Sequence, residues 1–270
     1  MSRAAITKDL VATQARTLKM PGLSRVYEAL ARQAREEHWG YEEFLRDVLE
    51  AEIVSRRDSA VRHRLAEARF PEMNTLDTFD FVATDGAISA AQIGDLARGE
   101  WIAKAGNVIL AGPIGTGKTH LAIAALRKIL EKGFECLFCD YQTLLNNIKN
   151  GYDAASDTSN REAYSNALEC EVLLLDDLGA HRVTKWVEDT VTSIVTSRCN
   201  NRKALIATTN LPDPEAGSPS MQKNALGQVE YRETLADRIG SRARSRLFEM
   251  CTVIRMPLVE DYRLKKARTF

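Results

Sequence analysis

The chain has 270 residues, of which 44% are hydrophobic, and its 37 Lys or Arg side chains balance its 37 Asp or Glu side chains. This composition is typical of a globular protein, and the length suits one large α/β domain with a small appendage. There is no run of about 18 apolar residues and no apolar N-terminal signal segment, which argues against a membrane protein and leads us to expect a cytoplasmic one. Five cysteines without framework spacing indicate reduced thiols.

The zero net charge hides an uneven distribution. Residues 1 to 70 hold 13 Lys or Arg against 11 Asp or Glu, and residues 232 to 270 hold 10 against 5. The two ends are therefore basic and the middle is acidic. Because nucleic acids bind to local basic patches, the neutral total does not argue against DNA as a partner.

Residues 1 to 70 are predicted to form a separate helical domain that docks on a partner. Apolar residues recur at helical spacing over 23–30 and again over 41–53, with Trp39-Gly40 between the two stretches. This pattern predicts a small helical bundle or a docking arm. The basic helical stretch from Arg56 to Arg69 is either a solvated face or a contact with the phosphate backbone of DNA.

Residues 71 to 106 are interpreted as a connector, in which Phe79 and Phe81 seat the chain on the domain that follows. Residues 107 to 270 alternate strand-like and helix-like runs, which predicts a parallel five-stranded sheet flanked by helices. The fold class is therefore α/β with a small N-terminal all-helical domain. The five predicted strands are Asn107–Ala111, Glu135–Cys139, Glu171–Leu175, Lys203–Thr208 and Cys251–Met256.

Two stretches of the large domain carry no predicted chemistry. Cys136 and Cys139 superficially resemble a metal or redox pair, but residues three apart on a strand point to opposite faces, so we assign them to the core. The segment between Asn210 and Tyr231 is rich in Pro and Gly, and it is predicted to be a long loop.

The strongest motif is the segment from Gly112 to Thr119, which matches the phosphate-binding pattern G-x-x-x-x-G-K-[ST] between a predicted strand and a predicted helix. Its glycines let the backbone aim N–H groups at phosphate oxygens. Lys118 can reach the outer phosphates and the Thr119 hydroxyl can ligate Mg²⁺, so we expect ATP and Mg²⁺ as cofactors. The residues expected at the nucleotide are Gly112, Pro113, Ile114, Gly115, Thr116, Gly117, Lys118, Thr119 and His120.

Two carboxylates, Asp176 and Asp177, follow an apolar strand at its carboxyl end, where α/β sheets bind ligands. A buried acid requires a compensating charge, and a Mg²⁺ ion shared by Asp176 and Thr119 would supply it. Asp177 then lies where a catalytic base could orient the attacking water. Asn210 follows the next strand and could sense the γ-phosphate or hold that water.

Four arginines lie within nine positions from Arg238 to Arg246. Helical spacing would put Arg238, Arg242 and Arg246 on one face. One of them could neutralise charge on the phosphates of a neighbouring subunit as an arginine finger, and others could bind DNA. The alternative is an exposed basic helix without a catalytic role.

These motifs resemble the AAA+ ATPases of the IstB/DnaC family, and the resemblance extends over nearly the whole chain. Leu18–Leu23 and Tyr41–Leu45 resemble the N-terminal domain of IstB transposition helpers. The resemblance implies that Asp177 occupies a position filled by glutamate in many AAA+ proteins, so weak or stimulated hydrolysis is expected. In the large domain the similar segments are Arg69–Pro71, Thr75–Phe81, Trp101, Gly106–Leu110, Gly112–Leu121, the Walker B segment Leu173–Gly179 and the sensor 1 segment Thr208–Pro212.

The C-terminal part looks more like the DnaC-type helicase loaders. In the segment from Asp237 to Cys251, Arg238 and Arg242 match the arginine-finger region of that group. Arg263, in Asp261-Tyr262-Arg263, matches a sensor 2 position and would contact the nucleotide.

The resemblance leaves two functions open. The first is a homo-oligomeric ATPase that binds target DNA and recruits or stimulates a transposase through its N-terminal domain. The second is a loader whose N-terminal helices dock on a replicative helicase. A third interpretation, an ATPase without nucleic acid, is supported only by the acidic middle of the chain.

Overall fold

The computed structural model describes residues 3–68, 70, 74–84, 88–151, 158–214, 220–223, 229–249, 251–257 and 262. Its internal contacts divide the chain into two units, Met1–Arg64 and Leu65–Phe270. Within the described ranges, no helix is long and apolar enough to cross a membrane.

The first unit is built from helices. These are α1 (Arg3–Thr17), α2 (Pro21–Glu36) and α3 (Tyr41–Glu67), the last of which continues past the unit boundary. The buried carboxylate of Glu52 joins α3 to the start of α2, because it accepts hydrogen bonds from the Leu23 N–H at 3.0 Å and from Arg56 Nε at 2.8 Å.

The apolar face predicted on α3 is divided in the structure. Val48 is buried, whereas an exposed row runs along the helix at four-residue spacing through Tyr41, Leu45, Leu49 and Ile53. Exposed apolar rows of this kind are unusual on a helix that has no partner. We call these four residues the α3 apolar row.

The second unit contains the predicted parallel sheet of five strands, which lie side by side in the order Cys136–Asp140, Val172–Asp176, Ala204–Thr209, Asn107–Ala111 and Cys251–Arg255. Each predicted strand is confirmed to within one residue at either end. The register of the central pairs runs from Val172 opposite Ala204 to Leu175 opposite Ala207. The strands are β1 (Asn107–Ala111), β2 (Cys136–Asp140), β3 (Val172–Asp176), β4 (Ala204–Thr209) and β7 (Cys251–Arg255).

Helices flank this sheet, and their apolar faces complete its core. The strand β3 is buried along its whole length, as a central strand covered on both faces must be. Cys136 is buried and Cys139 is half-buried on β2, and both are free thiols, in agreement with their assignment to the core. The helices are α4 (Ala90–Arg98), α5 (Lys118–Glu131), α6 (Tyr141–Asn150), α7 (Thr158–Glu169), α8 (Lys185–Asn200), α9 (Leu235–Ile239) and α10 (Ser241–Phe248).

The segment from 210 to 231 contains more structure than the predicted long loop. Strands β5 (Met221–Lys223) and β6 (Val229–Tyr231) pair in antiparallel fashion. Tyr231 Oη donates a hydrogen bond to Asp237 Oδ2 at 2.6 Å, which ties the end of this pair to the start of α9.

The prediction that Arg238, Arg242 and Arg246 share one helix is wrong, because the chain turns at Gly240 between α9 and α10. Gly240 has φ of 84°, a conformation that favours glycine. A β-carbon there would also lie 2.5 Å from the Glu188 side chain. Arg238 therefore lies on a separate short helix.

Candidate nucleotide-binding site

The phosphate-binding segment lies between the end of β1 and the start of α5. Gly117 precedes α5 with φ of 86°, and a β-carbon on it would lie 2.5 Å from the ring of Phe79. No side chain in the described residues caps the start of α5. The first N–H groups of this helix are thus open to an anion, and its dipole favours negative charge there.

Lys118 and Thr116 shape the inside of the loop. The Lys118 side chain is buried, and its Nζ donates a hydrogen bond to the Pro113 carbonyl at 2.7 Å. Thr116 Oγ1 donates to the same carbonyl at 2.9 Å. A phosphate oxygen would offer the Lys118 ammonium a charged acceptor, which forms a stronger hydrogen bond than a neutral carbonyl.

Asp176 connects the phosphate loop to the ends of two central strands. Its Oδ1 accepts hydrogen bonds from Thr119 Oγ1 at 2.8 Å and from Thr208 Oγ1 at 2.6 Å. Burial raises the pKa of the Asp176 carboxyl, and these two hydrogen bonds oppose the rise. The ionised carboxylate therefore lacks a full compensating charge in the protein alone.

This donor set fits a Mg²⁺ ion. Asp176 and the Thr119 hydroxyl supply oxygen ligands at one point, and a divalent cation would offset the desolvation of the carboxylate. The described residues contain no group of three or more His, Cys, Asp or Glu side chains that could hold a metal by themselves. Mg²⁺ is commonly bound through one or two protein ligands together with phosphate oxygens and water.

Asp177 and Asn210 lie beside this point. Asp177 is exposed, has φ of 53°, and donates its N–H to Thr208 Oγ1 at 2.9 Å. Asn210 is half-buried directly after β4, and its side chain has no hydrogen-bond partner in the part of the chain that the structure describes. Both side chains are thus available to a water or a phosphate, and their catalytic roles stay predictions.

The connector packs against the start of α5, as its aromatic residues predict. His120 Nε2 lies 2.8 Å from the Thr75 carbonyl oxygen and 3.2 Å from Thr78 Oγ1. The Phe79 ring contacts His120 and Phe81 edge to face, at centroid distances of 5.4 and 4.8 Å. The His120 ring is therefore engaged by the connector, and its contact with nucleotide stays a prediction.

The arginines of the cluster have different surroundings. Arg238 Nη2 lies 2.6 Å from Glu233 Oε2, and its Nη1 donates to the His181 carbonyl at 3.3 Å. Arg242 is exposed and has no partner among the described side chains. The structure thus leaves Arg242 open to a neighbouring molecule and engages Arg238 within its own chain.

Arg244 and Arg246 are paired with acids. Arg244 binds Asp213 through two nearly parallel hydrogen bonds of 3.0 and 2.9 Å, and both side chains are largely buried. Arg246 forms an exposed pair with Glu249 at 3.0 Å. The structural role of Arg244 was not foreseen, because its partner lies 31 residues away in the sequence.

The C-terminal segment reaches the phosphate loop. Met256 donates its N–H to the Ala111 carbonyl at 2.8 Å, and Tyr262 donates its N–H to the Gly115 carbonyl at 3.2 Å. Arg263, the predicted sensor 2 residue, lies outside the described residues. Its contact with nucleotide therefore stays a prediction.

Thr208 lies in the predicted sensor 1 segment, but the sequence assigned no role to its side chain, which binds Asp176. The signal that could have found it is its place in the sheet, since the aligned pairs of β3 and β4 end at Leu175 and Ala207, one residue before Asp176 and Thr208. Neighbouring parallel strands present such residues side by side. A hydroxyl beside a buried carboxylate is therefore a candidate partner for it.

The fold and the site together define the class. A parallel five-stranded sheet carries a phosphate loop after β1, acids after β3 and polar residues after β4. The molecule is a P-loop NTPase of the AAA+ class. A family model described as IstB-like ATP binding protein matches residues 13–265, and the chain belongs to that family.

Curated relatives agree with this membership. An ATP-binding protein of an insertion sequence from Mycobacterium tuberculosis is 32% identical over 195 residues, which cover 72% of this chain and 76% of that protein. An insertion-sequence ATP-binding protein from Sinorhizobium fredii is 30% identical over 223 residues, which cover 81% of this chain and 73% of that protein.

Two solved structures are similar in fold to this chain. The structure of the DnaC helicase loader is similar with a TM-score of 0.52 and 29% identity, over 68% of this chain and 96% of that one. AMPPCP-bound DnaA from Aquifex aeolicus matches with a TM-score of 0.52 and 17% identity, over 74% of this chain and 56% of that one. The DnaA likeness supports the fold only, and together the comparisons support an IstB/DnaC-type AAA+ protein.

Proposed function

We propose that this protein is a DNA-binding ATPase that assists transposition by assembling on target DNA and recruiting or stimulating a transposase. The observation that carries the ATPase part is the hydrogen-bonded set of Thr119, Asp176 and Thr208, which joins the phosphate loop to the ends of the two central strands. The transposition part is supported by the family and by relatives that are named for insertion sequences.

In this proposal the phosphate loop binds the nucleotide and the strand ends act on it. The N–H groups at the start of α5 and the Lys118 ammonium hold the phosphates, while Thr119 and Asp176 would hold Mg²⁺. When bound, the metal neutralises charge on the phosphate oxygens. Asp177 accepts a proton from, or orients, the attacking water, and Asn210 helps to hold that water.

Arg242→Ala should lower ATP turnover by about 10³-fold and leave nucleotide binding by the monomer unchanged, because an arginine finger acts on the phosphates of a neighbouring subunit. Arg242 is exposed and unpartnered in the described residues, as a finger in a free monomer should be. Turnover is measured by phosphate release at several protein concentrations, and affinity with a fluorescent ATP analogue.

The matched control is Arg246→Ala, which removes an exposed arginine from the same helix and should leave turnover near the wild-type rate. Full activity of Arg242→Ala would move the finger elsewhere. Arg238 would then be tested next, although in this structure it would first have to leave Glu233.

The α3 apolar row is the surface that we assign to the transposase. Its four exposed apolar side chains lie in the unit that resembles the N-terminal domain of the family. The experiment mixes the protein, ATP, target DNA and the candidate transposase, and measures strand transfer. Leu45→Glu with Leu49→Glu should abolish the stimulation and leave ATP turnover intact, whereas Leu10→Glu, an exposed leucine on α1, should not.

DNA binding is tested by titrating salt. If lysines and arginines contact phosphates, the logarithm of the affinity should fall steeply with the logarithm of the salt concentration. An ATP-saturated protein without DNA affinity at low salt would contradict the proposal. Loss of DNA binding alone would leave the ATPase assignment standing, because the two are measured separately.

The second candidate function is the loading of a replicative helicase. The specific observation that favours it is the 29% identity to the DnaC helicase loader over 96% of that chain. Capture of the host's hexameric helicase at micromolar concentration would support it. Failure of that capture, with transposase stimulation intact, would exclude it.

A further inference from the structure

We infer that Thr208 is a positioning residue that sets the Asp176 carboxylate, and the turn at Asp177, for binding of the Mg²⁺–nucleotide complex. The inference rests on the proposed ATPase function and adds a residue to it. Thr208 is fully buried at the end of β4, and its side chain contacts the acidic pair rather than solvent.

The Thr208 hydroxyl makes two hydrogen bonds at the end of the neighbouring strand. Thr208 Oγ1 donates to Asp176 Oδ1 at 2.6 Å and accepts the Asp177 N–H at 2.9 Å. A hydroxyl has one proton and two lone pairs, so it can make both bonds at once. One side chain on β4 thus fixes a side chain and a backbone group on the neighbouring strand end.

The two oxygens of the Asp176 carboxylate differ in their hydrogen bonds. Oδ1 of Asp176 accepts from Thr208 and from Thr119, whereas Oδ2 has no hydrogen-bond partner in the described part of the chain. The two hydroxyls therefore fix the plane of the carboxylate. They leave Oδ2 as its unused acceptor. Thr119 would also bind the metal itself, whereas Thr208 orients the Asp176 ligand without touching the metal, and the loss of such a partner typically costs 10- to 100-fold in metal affinity.

Asp177 has a φ of 53°, which is uncommon for a residue with a side chain. Its N–H is held by Thr208 Oγ1, and the next N–H, that of Leu178, donates to the Thr208 carbonyl at 2.8 Å. Both polar ends of Thr208 therefore support this turn. Such local strain persists only where the surroundings enforce it.

Thr209 provides a matched control one residue away. It is buried to the same degree, and its Oγ1 also makes two bonds, to the Leu178 carbonyl at 2.9 Å and from the Leu211 N–H at 3.2 Å. Among the described residues, its hydroxyl bonds to no carboxylate. Replacing either threonine by valine removes a buried hydroxyl at nearly constant volume, so the two variants share the general cost of that loss.

The experiment measures the affinity of a fluorescent ATP analogue over a series of Mg²⁺ concentrations, with EDTA as the baseline. The Mg²⁺ midpoint is the Mg²⁺ concentration that gives half of the metal-linked gain in affinity. In Thr208→Val this midpoint should be at least about tenfold higher than in the wild type, while the affinity measured in EDTA is unchanged. Thr208→Ser keeps the hydroxyl and should restore the wild-type midpoint. Thr209→Val should lower the thermal midpoint of the free protein without moving the Mg²⁺ midpoint.

The outcomes separate the two assignments. If the wild type binds no nucleotide, both the proposed ATPase function and this inference are overturned. If the wild type shows the Mg²⁺-linked gain and Thr208→Val has the same midpoint, only the inference is overturned. An equal shift in Thr209→Val would also overturn it, because a general structural effect would then explain both. Should Thr208→Val fail to fold, Thr208→Ala removes the same hydroxyl and takes its place.

Discussion

Lys118→Ala is expected to weaken ATP binding by about 100-fold while the protein still folds. Charge-assisted hydrogen bonds to phosphate are worth up to about 3 kcal/mol, which corresponds to that factor. The Lys118 side chain is only 6% exposed and lies inside the loop. Its removal leaves the Pro113 carbonyl without one of two donors, since Thr116 remains, so the cost to folding should be small.

The measurement is binding of a fluorescent ATP analogue, with circular dichroism melting to confirm the fold. Lys128→Ala is the matched control, because Lys128 lies on the same helix, is exposed and, within the part of the chain that the structure describes, pairs only with Glu131. That variant should bind ATP as the wild type does. Undiminished ATP turnover in Lys118→Ala would overturn the assignment of the phosphate loop.

The phosphate loop, the sheet and the acidic pair could be predicted because their signals are local. The loop is a motif of eight consecutive positions, and each strand is an apolar run bounded by polar residues. Asp176 was recognised for the same reason, since an acid after a buried strand stands out by itself. Local patterns thus predicted which elements form and which strand ends carry chemistry.

The contacts that depend on two distant segments could not be predicted in this way. Thr208 gains its place beside Asp176 only when β3 and β4 become neighbours, and the order of strands is not written in either strand. The pair of Arg244 with Asp213 has the same origin. The turn at Gly240 was missed because spacing of four residues is compatible with one helix or two. The positive φ and the contact with Glu188, which both favour glycine there, are known only from the fold.

Arg198 also gains most of its contacts from segments that are distant in the sequence, and these contacts bear on the stability of the protein. Arg198 lies near the end of α8, on the side of the helix that carries the buried residues Val187, Val191 and Ile194, and is itself 1% exposed. No carboxylate in the described residues pairs with it. Its guanidinium instead donates to five backbone carbonyls, those of Ala167, Leu168, Cys170, Glu171 and Ala204.

These carbonyls explain why a buried arginine is tolerated. Those of Ala167 and Leu168 belong to the last turn of α7, whose carbonyls lack partners within the helix. Those of Glu171 and Ala204 lie at the starts of β3 and β4. Burial lowers the pKa of the Arg198 guanidinium, so its charge is costly there, and the carbonyl oxygens offset that cost. One side chain thereby joins a helix end to two central strands.

Arg198→Met should destabilise the protein by about 3 kcal/mol or more, because it leaves several buried carbonyls without a donor while preserving most of the side-chain volume. Arg198→Lys keeps the charge with fewer donors in a different geometry, so its free energy of unfolding should lie between those of Arg198→Met and the wild type. Urea unfolding followed by tryptophan fluorescence measures both.

Arg202→Ala, which removes an exposed arginine just after the same helix, is the control and should change stability by less than about 0.5 kcal/mol. An unchanged urea midpoint for Arg198→Met would mean that the cost of burying the charge cancels its five hydrogen bonds to backbone carbonyls, and that the junction is held by apolar packing alone.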